Sequence, residues 1–106
     1  MLGDKVIDLI LYKKLYNTLK TTEIIFNKGK MDRKRQEYFN RKKQAKIFDE
    51  LNLESLLIAQ HESPSVKVKH TVLEAIFGAL YLLFDIEKTS EFLKKIAILM
   101  NYEELT

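Results

Sequence analysis

The sequence predicts an all-α fold, and three observations lead to this prediction. The 106 residues include only 3 Gly and 1 Pro, a composition that favours long helices over turn-rich β structure. Apolar residues recur at spacings of three and four along most of the chain. No segment convincingly reads as a strand. A chain of this length is expected to form one domain around a single modest core.

The helices are predicted from these spacings in order along the chain. In the first, the apolar residues are Val6, Ile7, Ile10, Leu11 and Leu15. The ranges expected to be helical are 4–19, 21–26, 31–39, 41–51, 53–59, 68–84 and 88–100.

The end of the chain carries two further expectations. In the last helix, Phe92, Ile96, Leu99 and Met100 are expected to form the buried stripe. A loop is expected at 60–65, which contains the only Pro, and residues 101–106 are expected to fray.

The composition excludes several classes of function. Because the chain has no Cys, it forms no disulfide or zinc–thiolate site, and an intracellular location (cytoplasm or organelle matrix) is expected. The longest apolar run, 72–84, is shorter than the ~20 residues that span a bilayer and is interrupted by Glu74. Asp4 and Asp8 argue against a signal peptide. No membrane partner is therefore expected.

Positive charge is concentrated in one segment. The net charge is +3, yet residues 28–46 hold nine Lys or Arg against Asp32 and Glu37, a net of +7. Such a stripe is typical of polyanion binding, although a solvated helix face remains an alternative. The residues expected to contact phosphates are Lys30, Arg33, Lys34, Arg35, Arg41, Lys42 and Lys43.

Two carboxylates lie within apolar helix patterns. Asp4 and Glu74 would each be costly to bury unless paired or bound to a metal. Glu74 lies one turn before Gly78, in a stretch of small residues that lets another helix approach, and the first helix is the natural candidate. The two acids together would suit Mg²⁺. The alternatives are an N-terminal helix carboxylate for Asp4 and an acid paired with Lys or Arg for Glu74.

Other polar residues carry weaker expectations. Asp8 is expected to be a surface or capping acid. His61 and His70 do not share a spacing typical of metal ligands, and each is expected in a solvated loop or at a helix end. His70 could approach the site because it neighbours Thr71.

Three motifs together resemble the ribonuclease III family over roughly residues 2–98. Leu2–Ile7 resembles the end of the family's L-E-F-L-G-D-A-V-L motif. Thr71–Ala79 resembles D-x-x-E-A-x-x-G-A, and Phe39–Leu53 resembles V-N-N-E-x-L-A-x-I-A-x-E-L-x-L. Each motif alone is weak, but their shared order and spacing are fairly specific.

The departures from the family point to its Mini-III branch. The family's glutamate four residues before the Gly-Asp aspartate has no counterpart here, and Thr71 replaces the second-motif aspartate. Mini-III ribonucleases also lack that glutamate and tolerate Thr at the second position. His70–Gly78 resembles their S-T-x-F-E-A-L-L-G motif, and Arg41–Ile47 resembles their S-A-K-S-Q-A-x-I stretch.

The resemblance implies an enzyme. It implies a single ribonuclease III-like domain over residues 1–106, without a separate double-stranded RNA-binding domain. That domain would act as a homodimer that cleaves double-stranded or structured RNA. Asp4 and Glu74 would be the catalytic ligands of Mg²⁺ (or Mn²⁺), and Thr71 would support these ligands without binding the metal itself. The alternatives are a catalytically degenerate subunit that binds RNA or dimerises in a ribonucleoprotein, and an unrelated basic helical bundle.

Overall fold

The computed structural model describes residues 1–18, 28–57 and 64–106, and within these ranges it is all-α, as predicted. The helix predicted at 21–26 and the position of His61 lie outside the described residues. None of the described helices is long and apolar enough to cross a membrane. The elements are α1 (Leu2–Thr18), α2 (Lys28–Phe39), α3 (Arg41–Glu50), a 3₁₀ turn (Leu53–Leu56), α4 (Val66–Leu83), α5 (Ile86–Leu99) and a second 3₁₀ turn (Glu103–Leu105).

Three of the helices begin at a polar capping residue. The side-chain oxygen of Asn40 accepts a hydrogen bond from the backbone N–H of Lys43, at 2.8 Å, and starts α3. Ser65 caps α4 and Asp85 caps α5 in the same way. Such caps satisfy backbone N–H groups that have no partner within the helix. The cap at Asn40 divides the basic segment 28–46 between two helices, α2 and α3.

The core lies between α1, α3, α4 and α5. All five apolar residues that the sequence places on the first helix face are buried, as predicted. Helix α4 packs against both α1 and α3 and contributes Leu73 and Phe77 to the interior. Helix α4 is therefore the central element, and Glu74 follows directly after one of its core residues.

The buried face of α5 differs from the prediction. Ile96 is fully buried as expected, but Leu93 and Ala97 complete the stripe while Leu99 is 44% exposed. Phe92 and Met100 are only partly buried at the edge of the core. The apolar residues cover more than one face of this helix, so periodicity alone left its rotation open.

The predicted fraying of residues 101–106 is wrong. Tyr102 and Leu105 are buried in the core, and the ring of Tyr102 lies 4.7 Å from that of Tyr38. Asn101 turns the chain with a left-handed backbone conformation (φ 59°), which Asn tolerates better than most residues. The chain end is thereby anchored to α2.

Candidate active site at the crossing of α1 and α4

Helices α1 and α4 cross at two glycines. A Cβ atom at Gly3 would coincide with the backbone carbonyl oxygen of Glu74. On the facing helix, a Cβ atom at Gly78 would lie 3.2 Å from the backbone nitrogen of Gly3. The backbones approach this closely because neither residue carries a side chain. Asp4, which follows Gly3, is thereby held beside Glu74.

Asp4 and Glu74 form an acid pair. Their carboxyl groups are close enough to interact, and the interaction shifts their pKa values in opposite directions. Glu74 is only 4% exposed, and burial, together with the interaction with Asp4, raises the pKa of Glu74 to about 7. Burial opposes ionisation of Asp4, but its interaction with Glu74 and the charge of Arg35 outweigh this effect and lower the pKa of Asp4. Near neutral pH the pair therefore carries an exchangeable proton.

Arg35 of α2 places a positive charge against this pair. Its Nη2 donates a hydrogen bond to Asp4 Oδ1, and its Nε donates to Asp8 Oδ1, both at 2.6 Å. Its Nη1 donates to the carbonyl oxygen of Phe39, the last residue of α2. The Arg35 side chain is 11% exposed. The sequence placed Arg35 among the phosphate-binding residues and Asp8 on the surface, whereas the structure engages both in this ion pair.

His70 holds the other side of Glu74. Its Nε2 lies 2.8 Å from Glu74 Oε1, one helical turn away. Burial, and then the positive charges of Arg41 and Arg35, lower the pKa of His70, which favours the neutral imidazole that donates through Nε2. The sequence predicted a solvated loop or helix-end position for His70, with approach to the site as the alternative, and the structure shows the alternative. The spacing of four residues from Glu74 was the signal that could have identified the contact.

A cleft of about 500 Å³ opens beside these groups. Glu74 does not line it, but Glu74 contacts two residues that do, Asp4 and His70. Gln44 also lines the cleft, and its Oε1 is buried with no hydrogen-bond partner among the described residues. The lining residues are Asp4, Asp8, Tyr12, Asp32, Arg35, Gln36, Phe39, Asn40, Arg41, Gln44 and His70.

The residues expected to bind phosphates divide into separate groups. Arg33, Arg41 and Lys42 are exposed and Lys43 is half-buried, and Arg41 also lines the cleft. Lys34 instead forms an ion pair with Glu104, at 2.9 Å. The side chain of Lys30 lies outside those that the structure describes.

The remaining site expectations concern the small and polar residues of α4. Thr71 is exposed and is not among the residues that line the cleft, so the neighbour that contacts Glu74 is His70. Ala75 and Ala79 are also exposed, so Gly78 is the one of these three small residues on α4 that takes part in the close contact with α1. Helix rotation explains both observations, because Thr71, Ala75 and Ala79 share one outward face.

The acid pair has the chemistry of a small magnesium site. Within the described ranges, no group of three or more Asp, Glu, His or Cys side chains is arranged to hold a metal ion. Mg²⁺, however, is often held by only one or two carboxylates, with water and phosphate oxygens completing its octahedron. Asp4 and Glu74 are two neighbouring carboxyl groups, and a divalent cation would displace the proton that the raised pKa of Glu74 retains near neutral pH. These two residues therefore fit Mg²⁺ or Mn²⁺.

Comparison with known proteins adds one match. A family model described as "Ribonuclease III domain" matches residues 1–85, which include α1, the cleft and α4. No curated protein and no solved structure matches the chain.

Proposed function

Because the chain belongs to the ribonuclease III domain family, we propose that it is an endoribonuclease that hydrolyses phosphodiester bonds of double-stranded RNA. The observation that carries this proposal is the acid pair of Asp4 and Glu74 at the α1–α4 crossing, beside an open cleft. A strongly raised pKa, such as that of Glu74 directly behind the cleft residues Asp4 and His70, is typical of functional carboxyls. The Mini-III branch is the closest in its pattern of acidic residues.

Asp4 and Glu74 would hold Mg²⁺ or Mn²⁺, which supplies a bound water of lowered pKa and a Lewis acid for the leaving oxygen. Glu74 loses its proton near neutral pH, so both carboxylates are available to a cation under ordinary conditions. The Nε2 of His70 donates to Oε1 of Glu74 and so helps to orient that carboxylate. This chain thus contributes a pair of oriented carboxylates.

Arg41 is the basic residue best placed for the scissile strand. It is exposed, it lines the cleft, and its charge reaches His70. Arg33 and Lys42 are also exposed and extend positive charge along α2 and α3. We expect phosphate contacts from these side chains, with affinity that falls as salt concentration rises and depends little on base sequence.

We also propose that the chain acts as a homodimer. Members of this family typically act as dimers, and a duplex presents two strands to be cut. Three consecutive apolar residues, Leu82, Leu83 and Phe84, are 70%, 75% and 64% exposed at the end of α4. A contiguous exposed apolar patch is typical of a surface that contacts another protein. Sedimentation equilibrium of the whole chain tests this state.

A second candidate function is a subunit that binds RNA or dimerises without cutting it. The supporting observations are that the described residues contain no group of three or more side chains arranged to hold a metal ion, and that Arg35 forms ion pairs with both Asp4 and Asp8. In this case the fold and the basic surface would be retained and hydrolysis lost.

Cleavage of a long duplex RNA in Mg²⁺ separates the two candidates. For the enzyme we expect cleavage by the wild-type chain and a loss of at least about 100-fold in Asp4→Asn and Glu74→Gln, because each removes a charged ligand. Glu91→Gln, an exposed acid on α5, is the matched control and should cleave normally. Tight RNA binding without cleavage would favour the non-cutting subunit.

A further inference from the structure

The guanidinium of Arg35 has a partner for each of its three nitrogens. Two of them bind Asp4 and Asp8, which lie one turn apart on α1, and the third binds the carbonyl of Phe39. The ring of Phe39 also lies 6.0 Å from the Arg35 carbon that joins the three nitrogens. A planar fork with fixed donors suits this arrangement, whereas an ammonium group would reach only part of it.

This network fixes the carboxyl group of Asp4, which lies beside Glu74 at the crossing of α1 and α4. Arg35 holds Asp4 through Oδ1, and the α1 backbone at Gly3 packs directly on the backbone of Glu74. Arg35 is itself held in place by Asp8 and Phe39, so it has little freedom to shift. The orientation of Asp4 is therefore fixed from α2 and does not depend on a bound cation.

We propose that Arg35 is a positioning residue that assembles the Asp4–Glu74 pair before a divalent cation binds. This inference rests on the proposed function, since it assigns the cation to that pair. Hydrogen-bonded partners of metal ligands fix the ligand geometry, and their removal typically weakens metal affinity about 10- to 100-fold. The opposing interpretation is that the Arg35 charge competes with the metal, in which case its removal would tighten binding.

Direct measurement of Mn²⁺ binding distinguishes these interpretations without any need for RNA cleavage. The dissociation constant is measured by calorimetry, and free Mn²⁺ by electron paramagnetic resonance, for the whole chain and for Arg35→Gln and Arg35→Lys. We expect Arg35→Gln to bind about 10- to 100-fold more weakly. Arg35→Lys should fall between Arg35→Gln and wild type, because it keeps the charge and loses the fork.

Lys34→Gln is the matched control. Like Arg35→Gln, it removes one positive charge from α2, at the adjacent position. It also breaks an ion pair, the one between Lys34 and Glu104. Its Mn²⁺ affinity should stay within about twofold of wild type, because Lys34 does not line the cleft. Circular dichroism and thermal unfolding in EDTA establish that each variant is folded.

The outcomes separate the inference from the proposed function. If wild type binds no Mn²⁺, the proposed metal site fails and the inference fails with it. If wild type binds and Arg35→Gln binds equally or more tightly, only the positioning role is overturned. Should Arg35→Gln not fold, Asp8→Asn takes its place, since it frees Arg35 without touching the acid pair. If Asp8→Asn binds Mn²⁺ more weakly than wild type, by a smaller factor than that expected for Arg35→Gln, the positioning role of Arg35 is supported. Unchanged Mn²⁺ affinity in Asp8→Asn contradicts that role.

Discussion

Adjacent residues of α2 enter two charged clusters that differ in kind. Arg35 joins Asp4 and Asp8 beside Glu74, whereas Lys34 joins Glu104 at the chain end. In the second cluster, Glu104 Oε2 accepts hydrogen bonds from two donors, Lys34 Nζ at 2.9 Å and the Tyr38 hydroxyl at 2.7 Å. In the first, Glu74 meets a donor, His70, on one side and another acid on the other.

The difference shows how to separate a structural cluster from a functional one. An acid surrounded by donors is stabilised as it stands, and its cluster ties the chain end to α2. An acid held against a second acid is destabilised when both are charged, and it is retained where a cation or proton is needed. By this criterion the first cluster is the candidate site and the second holds the fold together.

The largest expected effect comes from the backbone contact under the acid pair. Gly3→Ala should lower the free energy of unfolding by at least about 3 kcal/mol, because its Cβ would overlap the carbonyl of Glu74 and force α1 away from α4. Urea denaturation measures the change. Gly78→Ala is the control, with its Cβ 3.2 Å from the nearest backbone atom, and it should cost less than about 1 kcal/mol. Equal effects in the two variants would contradict the close packing at Gly3.

The next largest effect is the pH dependence of the free energy of unfolding, which tests whether charged Glu74 destabilises the fold. The pKa of Glu74 is raised from 4.5 to about 7 on folding, so its contribution is most favourable below pH 4.5 and is lost as the pH rises through 7. Glu74→Gln resembles the protonated acid at every pH. It should match wild type near pH 5 and exceed its free energy of unfolding by up to about 3 kcal/mol near pH 9.

Urea denaturation at both pH values measures this difference. The charged groups that act on Glu74 are Asp4, Arg35 and the N-terminal ammonium of Met1, and these groups, like the neighbouring His70, are unchanged in the variant. Glu87→Gln, an exposed acid at the start of α5, should show no such trend. A variant less stable than wild type at pH 9 would show that Glu74 is well accommodated as a charged group.

The smallest effect concerns the second cluster. Tyr38→Phe removes the hydroxyl that donates to Glu104 and keeps the ring that packs on Tyr102. We expect a loss of about 1 kcal/mol in the free energy of unfolding, the usual contribution of one such hydrogen bond. Mn²⁺ affinity and RNA cleavage should not change. A loss of Mn²⁺ affinity or of RNA cleavage in Tyr38→Phe would mean that the two clusters are coupled. Tyr81→Phe, which removes an exposed hydroxyl from α4, is the control.

Much of the site could be predicted from sequence, and the rest depended on packing. Asp4 and Glu74 were expected to meet, because acids in apolar helix patterns need a partner and Gly78 lies one turn away. The destination of Arg35 could not be predicted, since a long side chain reaches whichever neighbour the helix crossing provides. His70 was underestimated, although its spacing from Glu74 is local.

By itself the sequence determined the helical class, the buried face of α1 and the order of motifs that identifies the family. These follow from spacing along the chain, which is a local property. Only the tertiary structure decided which basic side chains face solvent, that the last residues are anchored by Tyr102 and Leu105, and that burial beside Asp4 raises the pKa of Glu74. These depend on how helices rotate and cross, because burial and electrostatic contact are set by neighbours distant in sequence.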